Sequence, residues 1–273
     1  MTDLVRRIGP TSRVRVVESS PDDVEREDQV VAEEPLEIRL AWPEAEPQRA
    51  WVTMRTPGND FELAAGWAFH EGVVAVGDVT EVAYCTEVDL TPEQEFNVVT
   101  LRSLAPVDLG HRHDAMSAGS SACGVCGKDS IEAALSTVRG VRWGGPQPRS
   151  DVVRRLPGQL REEQSVFART GGVHAAGLFT ADGERHVVRE DVGRHNAVDK
   201  VTGARLLAGE PVADAYLVVS GRAGFELVQK AVAAGVGSLV AVGAPSSLAV
   251  HLAREAGLGL FGFTRSERTV RYA

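Results

Sequence analysis

"AYLVVSGRAGFELVQKAVAAGVGSLVAVGAPSSLAVHLAREAGLGLFGFTR", residues 215–265, decides the fold. It opens on a short apolar run, "AYLVVS", which suits a strand buried on both faces. "GFELVQKAVAAG" then spaces its apolar residues as a helix does. "GSLVAVG" reads as a second strand, "SSLAVHLAREAG" as a second helix and "LGLFGF" as a third strand. Strand–helix–strand–helix–strand at this spacing predicts a parallel sheet with right-handed crossovers.

In such a sheet, ligands bind where strands end and helices begin. Three corners answer that description: Ser220-Gly221-Arg222, Ala244-Pro245-Ser246-Ser247, and Thr264-Arg265 after the last strand. The first two precede helix amino termini, whose free N–H groups and positive dipole end suit anions. Serines there also cap helices without any ligand. Arg222, Arg265 and Arg268 on one sheet edge favour a phosphorylated ligand, because guanidinium pairs bidentately with phosphate. No Walker loop and no Gly-x-Gly-x-x-Gly after a first strand is present, which disfavours a plain nucleotide hydrolase or dehydrogenase.

Upstream, "VHAAGLFTADGERHVVRED" (173–191) predicts a hairpin around Asp182-Gly183. "VGRHNAVDKVTGARLL" (192–207) predicts a helix. Residues 189–200 pack Arg189, Glu190, Asp191, Arg194, His195, Asn196, Asp199 and Lys200 together. That density fits either a solvated helix start or a site. His174, at the head of a strand, reads more readily as structural than catalytic. A helix with Leu160, Gln164 and Phe167 precedes Gly171-Gly172, after a Pro/Arg/Gly linker at 139–151.

The first half reads differently. Residues 1–34 are polar, acidic towards the end, and predict a partly ordered arm. "LEIRLAW" (36–42) alternates as a half-buried strand does. Residues 49–74 give strand, turn at Pro57-Gly58-Asn59, and a helix with Phe61, Ala64, Ala65 and Ala68 on one face. "VTEVAYCTEV" and "FNVVTLRS" add two strands. Residues 35–140 thus form a β-rich domain, and 150–273 a second, mostly parallel one, within an α/β (α+β) class.

Within the first domain lies "APVDLGHRHDAMSAGSSACGVCG" (105–127), a long mobile loop by its small-residue composition. A helix follows, with an Asp129-x-x-Glu132 capping box and an apolar face of Ile131, Ala134, Leu135 and Val138. Cys123 and Cys126 therefore sit before a helix start, each followed by glycine, with Lys128 near. These features favour an exposed thiolate. His111 and His113 supply the arithmetic of a Cys2His2 zinc site, but the spacing matches no common zinc framework. Thioredoxin-like chemistry expects the pair directly after a strand. A thiolate on a mobile arm suits a group that meets two partners in turn, as a sulfur carrier does.

The 273 residues are 43% hydrophobic, carry a net charge of −9, and include three cysteines, Cys85, Cys123 and Cys126. Acidity disfavours non-specific nucleic-acid binding. The cysteine count disfavours a secreted disulfide scaffold. No signal peptide and no membrane span is predicted, so a cytoplasmic protein is expected.

"TPGNDFELAAGW", "SACGVCG", "TGGVHAAGLF", "EDVGRHNAVDKVTGA", "SGRAGFELVQKA", "APSSLAVHLA" and "LFGFTR" together resemble the formate dehydrogenase accessory sulfurtransferase family, FdhD, from about residue 50 to residue 271. The resemblance implies a carboxy-terminal domain of the cytidine-deaminase fold and a homodimer. It implies transfer of sulfur from an L-cysteine desulfurase to the bis-molybdopterin guanine dinucleotide molybdenum cofactor that formate dehydrogenase needs. A GDP-like ligand follows from that cofactor. Cys123 would carry the persulfide and Cys126 assist. Phe263, Thr264, Arg265, Ser266, Glu267 and Arg268 would contact the cofactor, joined by Ser220, Gly221, Arg222, Ser246 and His195 at the other corners. The "TRSER" tail departs from the family's usual pattern. Deamination is not expected: His174-Ala175-Ala176 has alanine where zinc deaminases need glutamate, and Ser121-Ala122 stands where they need proline. The main rival is a chaperone that holds the cofactor, its cysteines ligating or shielding molybdenum. A zinc-dependent nucleotide hydrolase is the third reading.

Overall fold

A computed structural model describes residues 8–85, 96–107, 143–146 and 148–273. Cys123, Cys126, His111, His113 and the helix expected after them lie outside the described residues.

The chain begins with strands β1 (Thr11–Ser19) and β2 (Asp23–Val31), paired antiparallel from Thr11 opposite Val31 to Ser19 opposite Asp23. The polar segment read as a partly ordered arm carries this two-stranded ribbon from Thr11 to Val31. Composition registers the polarity of the segment but not its cross-strand pairing. Arg26 reaches Glu18 at 2.5 Å and Asp28 at 3.1 Å, so its charges pair within the ribbon.

β3 (Glu34–Ala41) and β4 (Gln48–Arg55) follow, then helix α1 (Asp60–His70), β5 (Val79–Tyr84) and β6 (Val98–Ser103). They form a four-stranded sheet in the order β4-β3-β6-β5. The alternation in β3 buries Leu36, Ile38 and Leu40 completely. At the turn before α1, Asn59 adopts a left-handed φ of 58°. Asp60 then takes both guanidinium arms of buried Arg55, at 2.9 and 3.2 Å, and the Tyr84 hydroxyl at 2.8 Å. α1 is buried well beyond the one face its alanines suggest, from Leu63 through His70.

Next come α2 (Ser150–Glu162), α3 (Ser165–Thr170), β7 (His174–Phe179), β8 (Arg185–Asp191) and α4 (Arg194–Leu207). The decisive stretch supplies β9 (Tyr216–Val219), α5 (Phe225–Ala234), β10 (Ser238–Ala241), α6 (Ser247–Ala256) and β11 (Gly259–Arg265), and β12 (Arg268–Arg271) closes the chain. β9, β10 and β11 pair parallel, as their spacing predicts. Parallel pairing stops there. The six-stranded order is β12-β11-β10-β9-β7-β8, and both flanks are antiparallel. The expected mostly parallel sheet is therefore a mixed one, because the β7–β8 hairpin and β12 join its edges.

Strand alternation divides the core. Leu217, Val219, Leu239 and Leu260 pack with α4, α5 and α6, and this core continues through α1 to Leu36 and Leu101 of the four-stranded sheet. Tyr216, Val218, Val240 and Phe261 face the other way, under Val152, Val153 and Leu156 of α2.

α1 and α4 meet at two glycines. A Cβ on Gly66 would lie 1.9 Å from the Asp199 carbonyl oxygen, and one on Gly203 would lie 1.8 Å from that of Glu62. Backbone, not a flexible side chain, stands in the way. Gly203→Ala is therefore expected to destabilise the protein by about 3 kcal/mol, the upper end for overpacking. A denaturant midpoint unchanged from the parent would refute it.

Candidate functional site

A glycine stands at or near the carboxy end of each parallel strand: Gly221, Gly243 and Gly262. A Cβ on Gly243 would sit 3.0 Å from the Arg222 Cα and the Gly221 carbonyl oxygen, and one on Gly262 would sit 2.9 Å from Pro245. Hydrogen bonds lace the same points. Gly243 N–H donates to Gly221 at 2.9 Å, Ala223 N–H to Ala244 at 3.1 Å, and Phe263 N–H to Gly243 at 3.1 Å. The three corners are thus one continuous edge, at the carboxy ends of β9, β10 and β11.

Side chains on this edge divide by task. Ser246 caps α6, its hydroxyl accepting from Ala249 N–H at 3.3 Å, so the plain capping role is filled there. Ser220 accepts from Ala175 N–H at 2.9 Å and ties β9 to β7. Thr264 is buried, its hydroxyl 3.0 Å from that of Thr269. Arg222, Arg265, Ser266, Glu267 and Arg268 are exposed. At a bulge between Gly262 and Arg265, Phe263 has a left-handed φ of 49°; the residue is 41% exposed, with the Arg268 guanidinium 5.9 Å from its ring centre. An aromatic residue held in that conformation is strained, and such strain gathers at functional sites. An exposed ring beside a guanidinium offers a stacking surface for a planar base.

The polar cluster at 189–200 proves to be largely architecture. Arg189 pairs with Glu62 through both arms, at 2.5 and 2.7 Å. Glu190 accepts from Val166 and Phe167 N–H, each at 2.8 Å, at the start of α3. Fully buried Asp191 accepts from Gly193 N–H at 2.8 Å, Asn196 at 3.1 Å and Thr56 N–H at 3.2 Å, with Lys200 Nζ at 2.7 Å. Burial pushes its carboxyl up, while Lys200, Gly193 and Asn196 pull it down. Asp199 sits between His70 at 2.6 Å and Lys230 at 2.7 Å. Burial first, then Lys230, pushes His70 below its ordinary value.

Arg194 and His195 remain half-exposed at the start of α4. His195 Nε2 lies 2.7 Å from Glu226 Oε2 on α5, off the line of a hydrogen bond. His174 stands at the Gly221 backbone. Sequence reasoning named Gly221 but missed Gly243 and Gly262, although a glycine at or near each strand end was the visible signal. It also missed Glu226, which reads as an ordinary first-turn acid.

A cavity of about 570 Å³ opens at the opposite edge, among Trp143, Tyr216, Gly237 and Gly259. It contains none of the corner residues. The glycines, the strained Phe263 and the guanidinium groups converge instead on the carboxy edge. No helix among the described residues is long and apolar enough to cross a membrane.

The chain is a mixed α/β protein whose six-stranded sheet carries glycines and exposed arginines at its carboxy edge, where open α/β sheets commonly bind ligands. More particularly, residues 31–273 match the profile of the FdhD/NarQ family, and the chain belongs to that family. It is 47% identical to the sulfur carrier protein FdhD of Nocardia farcinica, over 94% of this chain and 91% of that one. Against the sulfur carrier protein FdhD of Streptomyces coelicolor the identity is 48%, over 91% and 88%. The crystal structure of a protein assigned as a formate dehydrogenase accessory protein from Desulfotalea psychrophila shares the fold, with a TM-score of 0.72 and 22% identity over 96% of each chain.

Proposed function

We propose that this protein is a sulfurtransferase of the carrier type. It accepts sulfur from an L-cysteine desulfurase as a persulfide on Cys123. It delivers that sulfur to the bis-molybdopterin guanine dinucleotide molybdenum cofactor, its bound substrate, for formate dehydrogenase in the cytoplasm. The observation that carries the reading is near full-length likeness to relatives named for sulfur carriage. The Cys-x-x-Cys pair supplies the chemistry. Attack by the Cys126 thiol on the Cys123 persulfide anion would close a disulfide and release hydrosulfide, which balances atoms and electrons.

The carboxy edge supports the other half. Arg222, Arg265 and Arg268 suit the phosphates, and the Phe263 ring suits a flat base. The direct test of carriage is intact-mass measurement after incubation with a cysteine desulfurase and L-cysteine. One added sulfur atom, removable by reductant and absent from Cys123→Ala, is the expected result. No added mass would overturn carriage.

For the edge, Arg265→Ala should weaken GDP binding by about 1.5–3 kcal/mol, roughly ten- to a hundredfold, as a charge-assisted hydrogen bond is lost. Ser220→Ala should weaken it too, but Ser220 also holds β7, so Arg265 is the cleaner probe. Calorimetry with unchanged affinity in both variants would place the nucleotide elsewhere.

A further inference from the structure

We propose that His174 is a ligand contact of the carboxy edge and takes up a proton when a diphosphate occupies it. The proposal rests on the anion-binding reading of that edge.

His174 is the first residue of β7, beside the junction where Ser220 and Ala175 exchange hydrogen bonds. A Cβ on Gly221 would lie 3.4 Å from its Nδ1 and 4.0 Å from the Arg194 Cδ. Ring and arginine stem therefore converge over the same bare stretch of backbone. The ring is half-buried, so a ligand there would complete its desolvation.

Charges around it come from three elements. From β8, Asp191 lies opposite His174 in the strand register, but its carboxylate is taken by Lys200, Gly193, Asn196 and Thr56. From α4 come Arg194 and His195. From α5, Glu226 faces His195. Among the described residues nothing hydrogen-bonds to the His174 ring. Burial, then Arg194 and His195, push it below the ordinary histidine value, against the pull of Asp191. The free site thus disfavours the imidazolium, and an arriving phosphate reverses the balance of charge.

The sign of the pH dependence follows. Binding raises the His174 pKa from its lowered free value. Affinity is greatest below the free value, falls by at most about tenfold per pH unit between the free and bound values, and is level above the bound one.

The test is calorimetry of GDP binding in buffers of differing ionisation enthalpy, which counts protons taken up. The parent should take up a fraction of a proton near neutral pH. His174→Gln and His174→Asn should take up fewer protons than the parent and keep only the pH dependence that the terminal phosphate of GDP brings, with thermal unfolding confirming the fold. His195→Gln should keep the uptake, whatever its affinity. Equal uptake in the parent and both His174 variants, or uptake lost only in His195→Gln, overturns the proposal but leaves the anion site standing. No GDP binding by the parent overturns both.

Discussion

A Cys123→Ala variant is expected to fold, to bind guanine nucleotide and to leave formate dehydrogenase inactive. The carried sulfur needs one particular nucleophile. Removing a thiol from a glycine-flanked stretch removes no large apolar side chain from a core, so stability should hold. In the proposed function, ligand binding falls to the carboxy edge, whose glycines and arginines belong to residues 220–268. Binding and transfer should therefore separate. A variant with Cys123 and Cys126 both replaced by serine should still co-purify with the molybdenum cofactor, yet fail to activate the enzyme. A chaperone that grips molybdenum through its cysteines behaves otherwise: cofactor and activity vanish together. Measuring molybdenum, guanine nucleotide and client activity on the same samples distinguishes the two. Full activity in Cys123→Ala would end the carrier mechanism.

Lys200→Met should cost about 3–5 kcal/mol, because it strands a buried carboxylate. Lys200 is 1% exposed and Asp191 is fully buried. The ammonium sits 2.7 Å from Asp191 and 2.9 Å from the Thr56 carbonyl oxygen. It thus binds the turn after β4 to the start of α4. Val192 N–H donates to the Thr56 hydroxyl at 3.0 Å and Asn196 to the Met54 carbonyl at 2.8 Å, so the seam has several stitches. For a chain of this size the loss should lower Tm by on the order of 10 °C. Pairing Lys200→Met with Asp191→Asn removes both charges and should recover part of the loss. A single variant as stable as the parent would show that the pair contributes nothing. Because α4 also carries Arg194 and His195, GDP affinity should fall together with stability.

The strand-to-helix corners of the candidate site were legible because their signals are local. The corners at Ser220-Gly221-Arg222 and Ser246-Ser247 follow from strand-to-helix transitions, and the capping role of Ser246 follows from its residue type. The fate of the 189–200 cluster was not legible. Eight polar residues in twelve look alike as a solvated helix start or a site. Only their distant partners, Glu62 for Arg189 and His70 for Asp199, show that most of them hold the structure together.

By itself the sequence determined the central β9-α5-β10-α6-β11 unit, the β7–β8 hairpin, and the candidate sulfur nucleophile. Strand and helix periods, turn glycines and a Cys-x-x-Cys spacing act within a few residues, so local chemistry is enough. Only the tertiary structure decided the rest. The antiparallel flanks of the six-stranded sheet depend on which edge a strand finds, and no strand carries that in its own period. The hairpin at 11–31 depends on a register of nine cross-strand pairs, which neither strand carries alone. Gly66 and Gly203 are ordinary small helix residues until two backbones approach to where a Cβ would stand 1.8–1.9 Å from a carbonyl oxygen. Lys200 is an ordinary helix cation until Asp191 and Thr56, the latter 144 residues away, enclose it. Each is an energy of contact between distant segments, and it exists only after the chain has closed on itself.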